Sequence, residues 1–209
     1  MTMAQAAVSH RYAAGKRERL APGMVVGLYG GSFDPPHEGH RHVALTAKKR
    51  LGLDAVWWLV APHNPLKKDA PADLQARVDA ISTLIPEPGH VISTIEDRLG
   101  IRYTIDIIRH LTDRHPQVRF VWIMGADSLG GFHRWGHWRE IAARVPICVI
   151  AREGSPLKWR LGMAARYLAT ARVLPSRARG LAKRGAPGWT YITAPLHAVA
   201  SSDLRQGDK

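Results

Sequence analysis

Apolar residues in this chain fall into short continuous runs, separated by stretches in which they recur at helical spacing. Residues 24–30 (MVVGLYG), 55–61 (AVWWLVA), 118–125 (VRFVWIMG) and 146–152 (PICVIAR) are apolar and rich in β-branched side chains, with no alternation of polar and apolar positions. Such runs predict strands buried on both faces. Residues 90–96 (HVISTIE) and 189–194 (WTYITA) predict two more. Between these runs lie helical patterns. In 39–52, Val43, Leu45, Ala47 and Leu51 stand among basic residues, with Gly52 as the stop. Residues 71–85 stop before Pro86, and 103–115 stop before Pro116. Residues 137–144 predict a shorter helix. Strands alternating with helices imply βαβ units, and so an α/β fold with a mainly parallel sheet covered by helices on both faces. In such folds ligands collect at the carboxyl ends of the strands, near the switch in strand order.

Two stretches sit at predicted strand ends and carry unusual chemistry. One is GADS (125–128). The other is GLYGGSFDPPHEGHRH (27–42), which leads from a strand into a helix that starts near Glu38–His40. Gly30 and Gly31 let the backbone turn and approach a ligand. The first N–H groups of a helix lack intrahelical partners and favour an anion. His37 and His40 are three residues apart, so they can face the same way across one turn. Two imidazoles beside unpaired N–H groups suit phosphate oxygens and a charge developing on phosphorus. Neither G-x-x-x-x-G-K-[ST] nor G-x-G-x-x-G occurs here. The other readings are a two-histidine metal site, although no third ligand is evident, and a structural loop.

With 209 residues the chain can build one good-sized domain. Residues 24–209 are expected to form it, and residues 1–23 to be a mobile basic arm, with Met24 an alternative first residue. No run approaches the roughly 18 apolar residues of a membrane span. The single cysteine, Cys148, lies in an apolar run and is expected to be a buried thiol. A reducing cytoplasm fits. The formal charge of +13 would suit a nucleic-acid binder, but eight basic residues and no acid are concentrated in 155–188. That segment is expected to be an insertion, part helix and part loop. No nucleic-acid-reading motif accompanies it, and nucleotides also favour basic sites. A nucleic-acid-binding module is therefore the lesser alternative. The sequence does not fix the oligomeric state, and a homo-oligomer is compatible with it.

GGSFDPPHEGH resembles the signature of the nucleotidyltransferases with an HxGH motif, whose fold is Rossmann-like. Within that superfamily the chain is most similar to the bacterial nicotinate-nucleotide adenylyltransferases. APHNPLK (61–67), RYTID (102–106), GADSLGGFHRW (125–135) and ASSDLR (200–205) carry the closer resemblance. It implies direct attack of the phosphate of nicotinate mononucleotide on the α-phosphorus of ATP, with Mg2+ on the triphosphate and no covalent enzyme intermediate. The products would be nicotinate adenine dinucleotide and pyrophosphate. Nicotinamide-nucleotide and pantetheine-phosphate adenylyltransferases are the nearest rivals.

The resemblance also implies roles for single residues, each with a plainer alternative. His37, His40 and Arg205 would be catalytic. Gly30, Gly31, Ser32, Phe33, Asp127, Arg152 and Ser202 would join them in binding ATP. Ser202 and Arg205 open a second helix start that suits the β- and γ-phosphates, or simply caps a helix. Asp127 would take ribose hydroxyls, or cap the helix that follows. Arg152 would lie along the adenine. On the acceptor side, Asn64 and Lys67 would contact the mononucleotide, with a solvated loop lysine as the lesser reading of Lys67. Trp135 would stack on the pyridine ring. The N–H groups around Tyr103 and Thr104 would receive the nicotinate carboxylate, or form an empty helix start.

Overall fold

The computed structural model describes residues 18–62, 73–152 and 157–195. Six strands appear in chain order: β1 (Val25–Gly31), β2 (Ala55–Val60), β3 (His90–Ser93), β4 (Arg119–Gly125), β5 (Ile147–Arg152) and β6 (Trp189–Ala194). They form one sheet in the order β3-β2-β1-β4-β5-β6, and every pairing is parallel. The helices that connect them are α1 (Glu38–Leu51), α2 (Leu74–Leu84), α3 (Ile95–Leu99), α4 (Thr104–Arg114), α5 (Ala126–Gly131), α6 (Trp138–Arg144), α7 (Leu157–Arg160), α8 (Met163–Tyr167) and α9 (Leu181–Arg184). This is a Rossmann-like α/β architecture. None of the described helices is long and apolar enough to cross a membrane.

Both faces of the sheet are covered, which is why its strands read as unbroken apolar runs. Successive side chains of β2 point to opposite faces. Trp57 and Leu59 pack with Leu28, Trp122 and Val149 under α4, α6 and α8. Trp58 and Val60 pack with Tyr29, Ile123 and Ile150 under α1, α2 and α9. Helix α1 shows the matching logic, since Val43, Ala44, Ala47 and Leu51 form its buried stripe. Burying a side chain such as Leu51 contributes about 1.5–3 kcal/mol. The helix ends at Gly52, whose φ of 65° lets its N–H turn back to the Lys48 carbonyl. Cys148 is fully buried in β5.

Some boundaries differ from those the sequence predicts. Strand β3 stops at Ser93 rather than at residue 96, because Thr94 turns the chain into α3. Helix α2 begins after Asp73, whose carboxylate accepts from the N–H groups of Gln75 and Ala76. The basic segment expected as an insertion is, over its described residues, the connection from β5 to β6. Its alanines and leucines enter both halves of the core: Ala164, Ala165 and Leu168 on one face, Ala178, Leu181 and Ala182 on the other. Part of the N-terminal arm, residues 18–23, lies against the domain. Leu20 packs on the core, the Gly23 N–H donates to the Gln117 carbonyl at 2.9 Å, and Glu18 pairs with Arg98.

Candidate active site

The strand order reverses between β1 and β4, so the crevice at their carboxyl ends is the place where this fold binds ligands. Strand β1 delivers Gly30 and Gly31 to that crevice. A Cβ on Gly30 would lie 2.5 Å from Cη2 of Trp122 on the neighbouring strand. Glycine is therefore required at this position by packing inside the protein. The chain then reverses at Phe33, whose φ of 47° is in the left-handed region. The Phe33 ring is 2 % exposed and packs against Tyr29, Trp58 and His40. Its side chain belongs to the core, so only its backbone faces the ligand end of β1. A cis peptide joins Asp34 to Pro35, and His37 follows in extended conformation as the residue before α1.

The two histidines meet at the first turn of α1. Their ring centroids are 3.8 Å apart, with an angle of 30° between the planes. The His37 backbone N–H donates to Nδ1 of His40 at 3.2 Å. That bond makes Nδ1 an acceptor and leaves Nε2 as the protonated nitrogen of the neutral ring. Tyr29 and Phe33 back the His40 ring at centroid distances of 6.4 and 5.2 Å. Burial, reinforced by the negative charge of Asp127, pushes the Tyr29 hydroxyl pKa far up, so Tyr29 stays neutral. Asp127 is exposed in the first turn of α5, and its carboxylate folds back over Gly125 at the end of β4. The histidine pair and Asp127 thus flank the crevice from adjacent strands.

Two of the residues expected on the acceptor side, Trp135 and Tyr103, lie beyond Trp122. Trp135 is half-buried and meets Phe132 and Trp122 nearly at right angles, with centroids at 5.4 and 6.1 Å. Trp122 thus lies with Gly30 on one side and Trp135 on the other. Tyr103, 53 % exposed, packs beside Gly136, where an added Cβ would be 3.4 Å from its ring. Tyr103 has extended backbone and makes no side-chain cap to α4. The first N–H groups of α4 therefore point to this end of the helix without a cap from Tyr103. Arg109 on α4 donates to both carboxylate oxygens of Glu140 on α6, from Nε at 2.8 Å and from Nη2 at 2.6 Å. This clamp ties the middle of α4 to the first turn of α6, which follows the Trp135 loop, and the hydrogen bonds from Arg109, with its charge, hold the Glu140 carboxyl below its usual pKa.

Asn64, Lys67, Ser202 and Arg205 lie outside the described residues. Arg152 closes β5, where its backbone pairs with Ala194. Among the described residues no group of three His, Cys, Asp or Glu side chains is placed to hold a metal ion.

The cytidylyltransferase-like family profile matches residues 28–207. The chain is 45% identical over 183 residues to a protein from Ruegeria sp. (strain TM1040) named probable nicotinate-nucleotide adenylyltransferase, covering 88% of this chain and 97% of that one. It is 50% identical over 183 residues to a protein of the same name from Caulobacter sp. (strain K31), covering 87% and 97%. The chain belongs to the nicotinate-nucleotide adenylyltransferase family. The Plasmodium falciparum nicotinic acid mononucleotide adenylyltransferase, solved in complex with APC, superposes with a TM-score of 0.62 over 88% of this chain and 83% of its own. At 16% identity that likeness speaks for the fold.

Two residues beside this adenylyltransferase-family site carry no sequence signal of their own. Arg77 reads as one cation on an amphipathic helix, yet it is 3 % exposed. Trp122 reads as one more core tryptophan. Both become visible only when strands distant in sequence are side by side.

Proposed function

We propose that the protein transfers the adenylyl group of ATP to nicotinate mononucleotide, giving nicotinate adenine dinucleotide and pyrophosphate. The observation that carries this reading is the His37–His40 pair at the start of α1, set in the crevice between β1 and β4, with Trp122 between Gly30 and the Trp135–Tyr103 end. An oxygen of the mononucleotide phosphate attacks the α-phosphorus. The new P–O bond forms as the bond to the β-phosphate oxygen breaks, and pyrophosphate leaves. Such chemistry depends mainly on positioning and charge stabilisation. His40 donates through Nε2–H, and His37 and the first N–H groups of α1 complete the set of donors for the α-phosphate oxygens. Asp127 takes the ATP ribose, and Arg152, Ser202 and Arg205 serve the rest of ATP. Asn64 and Lys67 hold the acceptor, Trp135 stacks on its ring and the start of α4 receives its carboxylate.

A divalent cation, Mg2+, accompanies the triphosphate. The donors at the start of α1 are imidazoles and N–H groups, which suit phosphate oxygens, so the ion is held chiefly by the phosphates themselves. When bound, it would supply positive charge to offset that of the leaving pyrophosphate. The test is to incubate the protein with MgATP and nicotinate mononucleotide and follow both products. Equal amounts of dinucleotide and pyrophosphate are expected. ATP hydrolysed to AMP and pyrophosphate with no dinucleotide formed would contradict the reading.

A further inference from the structure

Arg77 lies one turn into α2, and its guanidinium is buried between the ends of two adjacent strands. Nη1 donates to the carbonyls of Ser32 at 2.7 Å and Ala61 at 2.8 Å, and Nη2 donates to the carbonyl of Pro62 at 3.4 Å. Ser32 is the first residue after β1, and Ala61 and Pro62 are the first two after β2. The ladder between these strands ends with the Ala61 N–H donating to the Gly31 carbonyl at 3.0 Å. Beyond it the chains part, one toward Phe33 and the histidine pair, the other toward residues 63–72. Three carbonyl oxygens from the two strand ends converge there on one side chain. The planar, multidentate guanidinium takes all three.

The placement of α2 makes this a closed circuit. The segment that leaves at Pro62 returns at Asp73, the capping residue of α2, and four residues later Arg77 reaches back to the Pro62 carbonyl. Both ends of that segment are thus tied to the base of the loop that carries His37 and His40. Burying a cation is costly, and a helix surface would accept a leucine here more cheaply. What the arginine adds is a fixed angle between the loop after β1 and the loop after β2.

We propose that Arg77 is a positioning residue for adenylyl transfer: it locks the ATP-side loop and the acceptor-side loop in one register, so that the two reacting phosphates meet in line. The inference rests on the adenylyl-transfer reading. Each loop keeps its own ligand contacts without Arg77, so binding of a single substrate survives, whereas turnover needs both loops in register.

The experiment compares wild type, Arg77→Lys and Arg77→Met by kcat, by KM for each substrate, by Kd for MgATP alone and by Tm. Arg77→Met should keep both KM values and the Kd within about threefold while kcat falls about a hundredfold, the size expected when reacting groups are misplaced by an ångström. Arg77→Lys, which keeps the charge without the fork, should fall between them, about tenfold down in kcat. Should Arg77→Met fail to fold, the Arg77→Lys enzyme decides alone by the same split. A folded variant with lower Tm but kcat within about threefold of wild type would make the residue only structural and overturn the proposal. A change in KM for one substrate with kcat unchanged would overturn it as well. Wild type inert with MgATP and nicotinate mononucleotide would instead end the adenylyl-transfer reading, before any variant is compared.

Discussion

At the scale of single residues, the site depends on what each side chain is held against. His40 has its ring backed by Tyr29 and Phe33, and its Nδ1 is occupied by the His37 N–H, so one nitrogen is committed to donating. His40→Ala should leave the fold intact and lower kcat by at least about a hundredfold, the loss typical of one preorganised donor to a transition state. Steady-state kinetics together with a circular dichroism spectrum would check this, and near-normal kcat would remove the histidine from the mechanism. Gly30 makes a different point. Its neighbour is the edge of Trp122, itself 1 % exposed and unable to yield. Gly30→Ala should therefore destabilise the fold by about 1–3 kcal/mol through overpacking. Adding Trp122→Phe should restore part of that loss, and a double-mutant cycle with no coupling would show that the two do not compete for the same space.

At the scale of elements, the strands and long helices were legible because their apolar pattern is strong. The six runs read as strands correspond to the six strands of the sheet, 39–52 overlaps α1, and 103–115 contains α4. What was not legible depends on contacts between distant segments. Nothing local in HVISTIE shows that pairing with β2 ends at Ser93 and that Ile95 starts α3. The same holds within the site. The HEGH stretch announces a helix start with two imidazoles, but the register that sets Gly30 on Trp122 and joins three carbonyls at Arg77 exists only in the sheet. Helix α3 also carries a titration that sequence could not show. Burial pushes the Glu96 carboxyl up to about 7. A carboxyl raised in the folded state binds a proton more tightly there than in the unfolded chain. Its contribution is thus fully present below the unfolded value and is lost as pH rises through about 7. Glu96→Gln, which stays neutral, should stabilise the protein at pH above 8 by about 1–3 kcal/mol and change little near pH 4. Thermal unfolding at the two pH values checks this, and an equal effect at both would show that the charge of Glu96 has no part in it.

At the scale of the whole molecule, one sheet covered on both faces supports a site at its switch point, and even the basic β5–β6 connection belongs to the core through its alanines and leucines. Residues 18–23, before β1, add contacts of the same kind. Glu18 accepts from the Ser93 hydroxyl at 2.5 Å and pairs with Arg98, and Leu20 packs on the core. Truncation after residue 17 keeps these contacts and truncation after residue 23 removes them. The longer truncation should lower Tm relative to the shorter one, by about 2–4 °C for each kcal/mol lost. Equal Tm values would show that residues 18–23 add nothing to stability. Adenylyl transfer to the acid form of the pyridine nucleotide, as proposed, draws on the molecule as a whole. The N–H groups at the start of α4 suit a carboxylate, which only accepts hydrogen bonds, and are mismatched to the NH2 of a carboxamide. An unsatisfied buried group of this kind costs about 1–3 kcal/mol. The most direct measurement is kcat/KM for nicotinate mononucleotide and for nicotinamide mononucleotide, each at saturating MgATP. The account predicts a preference for the acid of at least about tenfold. Equal use of the two, or a preference for the amide, would contradict it.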